Sequence, residues 1–187
     1  MGSITNFLDE AILNCVECDL HKESINKELG KVLGIGSETK IMLVGINPSI
    51  KRTIEDKYNM RPDLTFSNTP RGMLSKVLHE VELPYESMYV TNLLKCSTAD
   101  NSEPTEEQIK KCFNNIFLQE FIALEIPEHV ICLGNLVYEF LNENLAKFKR
   151  TQVYKVYHHS YIANRAPDKY EEWKNQFLRI KGNICLT

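Results

Sequence analysis

Three polar side chains stand where short apolar runs stop, and each is of a type that can do chemistry. Asn47 lies in Gly45-Ile46-Asn47-Pro48-Ser49, directly after the apolar run Ile41–Val44. Asn92 sits in Thr91-Asn92, toward the end of a second run, Ser87–Leu94. His158 ends a third run that begins at Gln152 and leads into His159-Ser160-Tyr161. A side-chain amide can read donors and acceptors or position a water, and an imidazole can donate to a developing negative charge. Separately, Cys15-Val16-Glu17-Cys18 puts two thiols within reach of one metal from a tight turn, a spacing that a pair of buried thiols also fits.

The elements that must position these groups follow from hydrophobic period and punctuation. Ile41–Val44 is unbroken and apolar, as in a strand buried on both faces, and Pro48 forces the chain out of the sheet. Ser87–Leu94, His129–Leu133 and Gln152–His158 read as three further strands. Asn6–Asn14, Thr69–Val81, the stretch opened by the capping box Thr105-Glu106-Glu107-Gln108, Gly134–Ala146 and Asp168–Ile180 read as amphipathic helices. This alternation predicts a three-layer α/β/α sandwich with a small, mainly parallel four-stranded central sheet, in a single domain over residues 1–187. Parallel strands end at one edge, where open α/β sheets bind ligands, so Asn47, Asn92 and His158 are expected to converge there.

Ile50–Thr69 has no clean period and reads as a long functional loop. Within it Phe66, set among Thr65, Ser67 and Asn68, is either a small core anchor or a stacking surface. Lys51, Arg52, His159, Ser160 and Arg165 flank the expected mouth, as phosphate grips or as ordinary solvated loop residues. The cluster Lys147, Lys149 and Arg150 fits a helix end whose dipole favours cations. Net charge is −3 across 187 residues, so no global field draws the chain to nucleic acid or anionic membrane, and any DNA contact is local. No apolar run approaches membrane-spanning length and the N-terminus lacks a signal-peptide pattern, which sets the expectation of a cytoplasmic protein. There the six cysteines serve metal ligation or burial rather than disulfides. Cys132 reads as core and Cys185 as an unligated thiol.

Taken together, Cys15-x-x-Cys18, Gly45-Ile46-Asn47-Pro48, Phe66, Thr91-Asn92-x-x-Lys95-Cys96, Cys112 and His158-x-Ser160-Tyr161 resemble the uracil-DNA glycosylase superfamily. The four cysteines are similar to those of its iron–sulfur branch. The likeness runs from about Cys15 to Arg165, in the family's motif order. It implies a monofunctional glycosylase that flips a base out of DNA, single- or double-stranded, as a monomer. Cys15, Cys18, Cys96 and Cys112 would hold a [4Fe–4S] cluster. Gly45, Ile46 and Pro48 would shape the base site, Phe66 would stack on the flipped base, and Asn92 would read its edge. Asn47 would position the attacking water, and His158 would donate to base O2.

Three departures bear on the substrate. Asn47 stands where the iron–sulfur uracil enzymes usually carry an acid, and its GINP context is similar to the mismatch, thymine and hypoxanthine branches. The compact G-x-P-F before the stacking aromatic is missing, and His159 replaces a proline. The resemblance therefore extends to removal of a bulky modified pyrimidine, for example from phage DNA. A non-catalytic iron–sulfur nucleic-acid-binding or redox protein, and a binding module with a structural zinc, are the readings from other classes.

Overall fold

A computed structural model of the chain describes residues 3–23, 31, 33–36, 40–49 and 62–184; Lys51 and Arg52 lie outside the described residues. The organising element is β1 (Ile41–Gly45), buried at every position. It pairs in parallel with β2 (Tyr89–Asn92) on one side and with β3 (His129–Leu133) on the other, and β3 pairs in parallel with β4 (Gln152–Val156). The order is β2-β1-β3-β4. The chain leaves β1 in one direction and β3 in the other, which makes the gap between those two strands the switch point where such sheets open a crevice.

Strand alternation divides the apolar side chains between two cores. Ile41, Leu43, Val90 and Ile131 join Leu74, Val77 and Leu78 of one helix and Trp173, Phe177 and Ile180 of another. Met42, Val44, Val130 and Cys132 face the opposite layer, with Ile109, Phe113, Phe117, Phe121, Val137 and Leu141. Apart from α1 (Ser3–Leu13), whose Ile12 joins Leu33 and Ile116 in a third cluster, the helices behind these contacts are α2 (Pro70–Glu80), α3 (Glu106–Cys112), α4 (Leu118–Ala123), α5 (Asn135–Asn144), α6 (His159–Asn164) and α7 (Tyr170–Ile184). The predicted three-layer α/β/α arrangement is thus the observed one.

Local chemistry sets the boundaries. Thr69 caps α2 by accepting from the Gly72 N–H at 3.2 Å, with Pro70 in the first helical turn. Thr105 and Gln108 close the capping box that opens α3. Three boundaries differ from expectation. β2 is shorter than Ser87–Leu94, because the chain turns directly after Asn92. β4 stops at Val156, because His158 becomes the N-cap of α6, a helix with too few residues to announce itself by period. The stretch after Thr105 is not one regular helix: a π-turn, Phe113–Phe117, separates α3 from α4. Such an inserted residue rotates the following side chains to a new face.

Past that turn, α4 carries one half of a buried ion pair. Glu120 is fully buried on α4, and Lys95, just past β2, is almost fully buried. Lys95 Nζ donates to Glu120 Oε2 at 2.6 Å, to Thr91 Oγ1 at 2.6 Å and to the Asn92 carbonyl at 2.7 Å. These three bonds use all its protons. Tyr89 Oη and Thr91 Oγ1 donate to Glu120 Oε1 at 2.7 and 3.2 Å. Satisfied this fully, two charges are tolerable in an apolar layer; missing one partner, they are not. Lys95→Met alone should therefore cost about 3–5 kcal/mol in urea unfolding, while Lys95→Met with Glu120→Leu should recover much of the loss. Equal losses in the single and the double variant would show that the pair does not stabilise β2 and α4 as a unit.

Candidate active site

Beyond the carboxyl ends of β1, β2 and β4 lies a cavity of about 150 Å³, lined by residues that include Gly45, Ile46, Asn47, Asn92, His158 and Ser160. An open groove of about 480 Å³ adjoins it; Ile46, Asn47 and His158 border both, and Arg165 borders the groove. The predicted convergence of the three strand ends is what the chain adopts. Asn92 is the last residue of β2, while Asn47 and His158 each lie two residues past their strands.

Asn92 is 3 % exposed, and its Nδ2 is buried with no hydrogen-bond partner among the described residues. A buried amide donor without an acceptor costs free energy in the empty site, so its presence on a cavity wall points to a ligand that supplies the acceptor. Its backbone is fixed from below, where its carbonyl accepts from Lys95 Nζ.

His158 has a defined tautomer. Its Nδ1 lies 3.2 Å from the Ser160 backbone nitrogen, whose N–H can only donate, so Nδ1 is the acceptor. In the neutral ring the proton then sits on Nε2, where the imidazole can donate. Burial holds the ring neutral, lowering its pKa from 6.5 to about 4. Gly134, with φ +100°, passes the ring closely: a Cβ at this position would stand 3.4 Å from His158 Cβ. That φ is strained for any side chain, so glycine suits the turn after β3.

Asn47 donates from Nδ2 to Thr98 Oγ1 at 3.1 Å and to the Pro48 carbonyl at 3.4 Å. Its Oδ1 is thereby the atom left to accept.

Of the remaining expected residues, His159 and Ser160 line the cavity, and the His159 ring stacks on His158 with centroids 4.3 Å apart. Pro48 is buried and is not among the lining residues. Phe66, expected as a small core anchor or a stacking surface, is not among the described residues that line the cavity, and its ring rests against His79 at 5.1 Å. The cause is a local turn in which Asp63 accepts from the Thr65 N–H, Thr65 Oγ1 and Ser67 Oγ, lowering its pKa to about 2, with Phe66 at φ 50°. Tyr85 lines the cavity, and Arg71, whose Nε is buried without a partner among the described residues, stands beside it. Neither is singled out by its residue type or spacing in the sequence, since no local motif marks Arg71 at the start of α2 or Tyr85 between α2 and β2.

The four cysteines Cys15, Cys18, Cys96 and Cys112 line a second, small pocket with Leu20, Leu94 and Ile116. Burial is the main reason the Cys96 thiol is pushed up to about 12 and the Cys112 thiol to about 11. Among the described residues, no group of three or more His, Cys, Asp or Glu is drawn together tightly enough for one metal ion. A cluster with iron at separate corners takes its ligands further apart than a single ion does. An all-sulfur donor set with Lys31 and Lys95 also lining the pocket suits such a group.

The uracil DNA glycosylase superfamily model matches residues 33–180, and the chain belongs to that family. It is a DNA glycosylase by class, an enzyme that hydrolyses N-glycosyl bonds. It is 28 % identical to a type-4 uracil-DNA glycosylase of Archaeoglobus fulgidus, over 99 % of this chain and 94 % of that protein. It is 29 % identical to a type-4 uracil-DNA glycosylase of Thermotoga maritima, over 73 % of this chain and 65 % of that one. Its fold matches the crystal structure of wild-type SMUG2 of Pedobacter heparinus with a TM-score of 0.56 and 13 % identity, over 81 % of this chain and 78 % of that one.

The state of His158 is testable. A half-buried, desolvated neutral imidazole binds fewer protons than the unfolded chain as pH falls, so its contribution to stability declines between pH 6.5 and about 4. Its ring resonances should titrate near 4, and His158→Gln should flatten that part of the stability profile. A His158 titration near 6.5 would contradict a desolvated ring.

Proposed function

We propose that the chain is a monofunctional glycosylase that flips uracil or another modified base out of DNA and hydrolyses its glycosidic bond, leaving an abasic site. The observation that carries this reading is the buried Asn92 Nδ2, without a partner among the described residues, on the wall of a cavity that a neutral His158 and the acceptor end of Asn47 also line.

Extruding a base costs a few kcal/mol, which the pocket must return in contacts. Asn92 Nδ2 donates to the carbonyl at C4 of uracil; cytosine presents an amino group there, so two donors would meet and one would stay unpaired. A mismatch of that kind is worth about 10⁴-fold or more in discrimination. As the bond to the sugar lengthens, negative charge gathers on the departing base, and His158 Nε2–H donates to O2. One preorganised donor of this kind is typically worth about 3–4 kcal/mol. Asn47 Oδ1 accepts from the attacking water and aims it. An amide is a poor base, so leaving-group stabilisation contributes more than activation of the nucleophile. Ser160, His159 and Arg165, at the mouth and the adjoining groove, meet the phosphates.

Cys15, Cys18, Cys96 and Cys112 would hold the [4Fe–4S] cluster, whose bonds, when formed, cross-link the chain after α1 to the segment after β2 and the end of α3. Anaerobically purified protein should then carry about four irons per chain, the stoichiometry of this cluster. Stoichiometric zinc would exclude it.

The decisive assay incubates the protein with oligonucleotides carrying uracil, hypoxanthine, thymine mismatches or bulky modified cytosines, in single- and double-stranded form, followed by alkali. Cleavage at one of these bases is expected, with His158→Ala slower by about 10²–10³-fold in single turnover. Asn92→Ala should lose far more activity than stability. No cleavage of any substrate by iron-loaded protein would return the chain to a binding or redox role.

A further inference from the structure

The atom that Asn47 presents to the cavity is decided by a residue that lies outside it. Thr98 is 2 % exposed and its hydroxyl carries a single proton. Thr98 Oγ1 lies 2.6 Å from the Ser102 carbonyl, which can only accept, so the hydroxyl proton goes there. Toward Asn47, 3.1 Å away, Thr98 therefore shows only a lone pair. The terminal atom of Asn47 facing it must be the NH₂ group, and the Pro48 carbonyl, a second obligate acceptor at 3.4 Å from the same atom, demands the same. A relay thus runs from Asn47 Nδ2–H through Thr98 Oγ1–H to the Ser102 carbonyl, and it leaves Asn47 Oδ1 for water.

We propose that Thr98 is a positioning residue that fixes the amide orientation of Asn47, and through it the placement of the attacking water. The inference rests on the reading of Asn47 as the water-holding residue. Without the relay the amide can turn end for end, presenting N–H to the water in place of a lone pair. The same hydroxyl ties down the turn 98–102, where Asp100 and Asn101 adopt positive φ, so one residue holds both the amide and the loop beside it.

The test measures single-turnover excision by Thr98→Val and Thr98→Ser, each in the native and in the Asn47→Ala background. Thr98→Val should be slower by about 10–100-fold, the scale for a misplaced catalytic group, with substrate affinity unchanged. Thr98→Ser, which keeps the hydroxyl, should restore the rate, and Thr98→Val should add nothing once Asn47 is alanine. A native rate for Thr98→Val, or the same slowing in both backgrounds, overturns the proposal while leaving the role of Asn47 intact. A native rate for Asn47→Ala overturns the role of Asn47 itself. A further readout needs no change at Thr98. In the native protein the Asn47 side-chain amide protons should exchange with solvent more slowly than those of an exposed asparagine, and exchange at the exposed rate overturns the relay.

Discussion

A lysine and a glutamate buried together in an apolar layer constrain much of the rest of this molecule. Lys95 and Glu120 are held at 2.6 Å with almost no solvent access, a pairing whose desolvation is compensated only when every proton and lone pair finds a partner. Meeting that demand fixes Thr91 and the Asn92 carbonyl at the end of β2 and brings α4 against them. The π-turn before α4 belongs to the same constraint, since it separates Cys112 on α3 from Glu120 on α4 by one extra step of rotation. Cys96 follows Lys95 directly. The Asn92 amide and two of the four cysteines thus hang from one polar knot.

Around that knot the site is assembled from acceptors and donors whose directions are set by neighbours. A backbone N–H at Ser160 decides the tautomer of His158, and a threonine hydroxyl committed to a carbonyl decides which end of Asn47 faces the cavity. Asn92 and Arg71 each keep a buried donor unanswered among the described residues. Fixed directions matter more than acid–base strength in the proposed mechanism, which has no strong base and leaves the stabilising to preorganised dipoles.

Much of this was legible in the sequence. The apolar runs with their stop residues located all four strands, and the capping box at Thr105 and the Thr69-Pro70 start marked two helices. The parallel order then required Asn47, Asn92 and His158 to meet. What could not be read were contacts without a local signature. Glu120 stands within an apolar helical stretch and looks like a solvated carboxylate until a lysine 25 positions earlier is folded against it. Thr98 looks like any loop threonine. The direction of Phe66 was not legible either, because it is set by the hydrogen bonds of Asp63, which bear on turn geometry rather than hydrophobic pattern. The family resemblance supplied roles for residues, and the structure supplied the directions in which they act.

The central claim is that a buried amide donor at Asn92 chooses the base by its C4 oxygen. The most direct measurement compares single-turnover excision of uracil with that of pyrimidin-2-one, which lacks that oxygen, by the native protein and by Asn92→Ala. The account predicts a strong preference for uracil in the native protein that largely disappears in the variant. Equal preference in both proteins would contradict it.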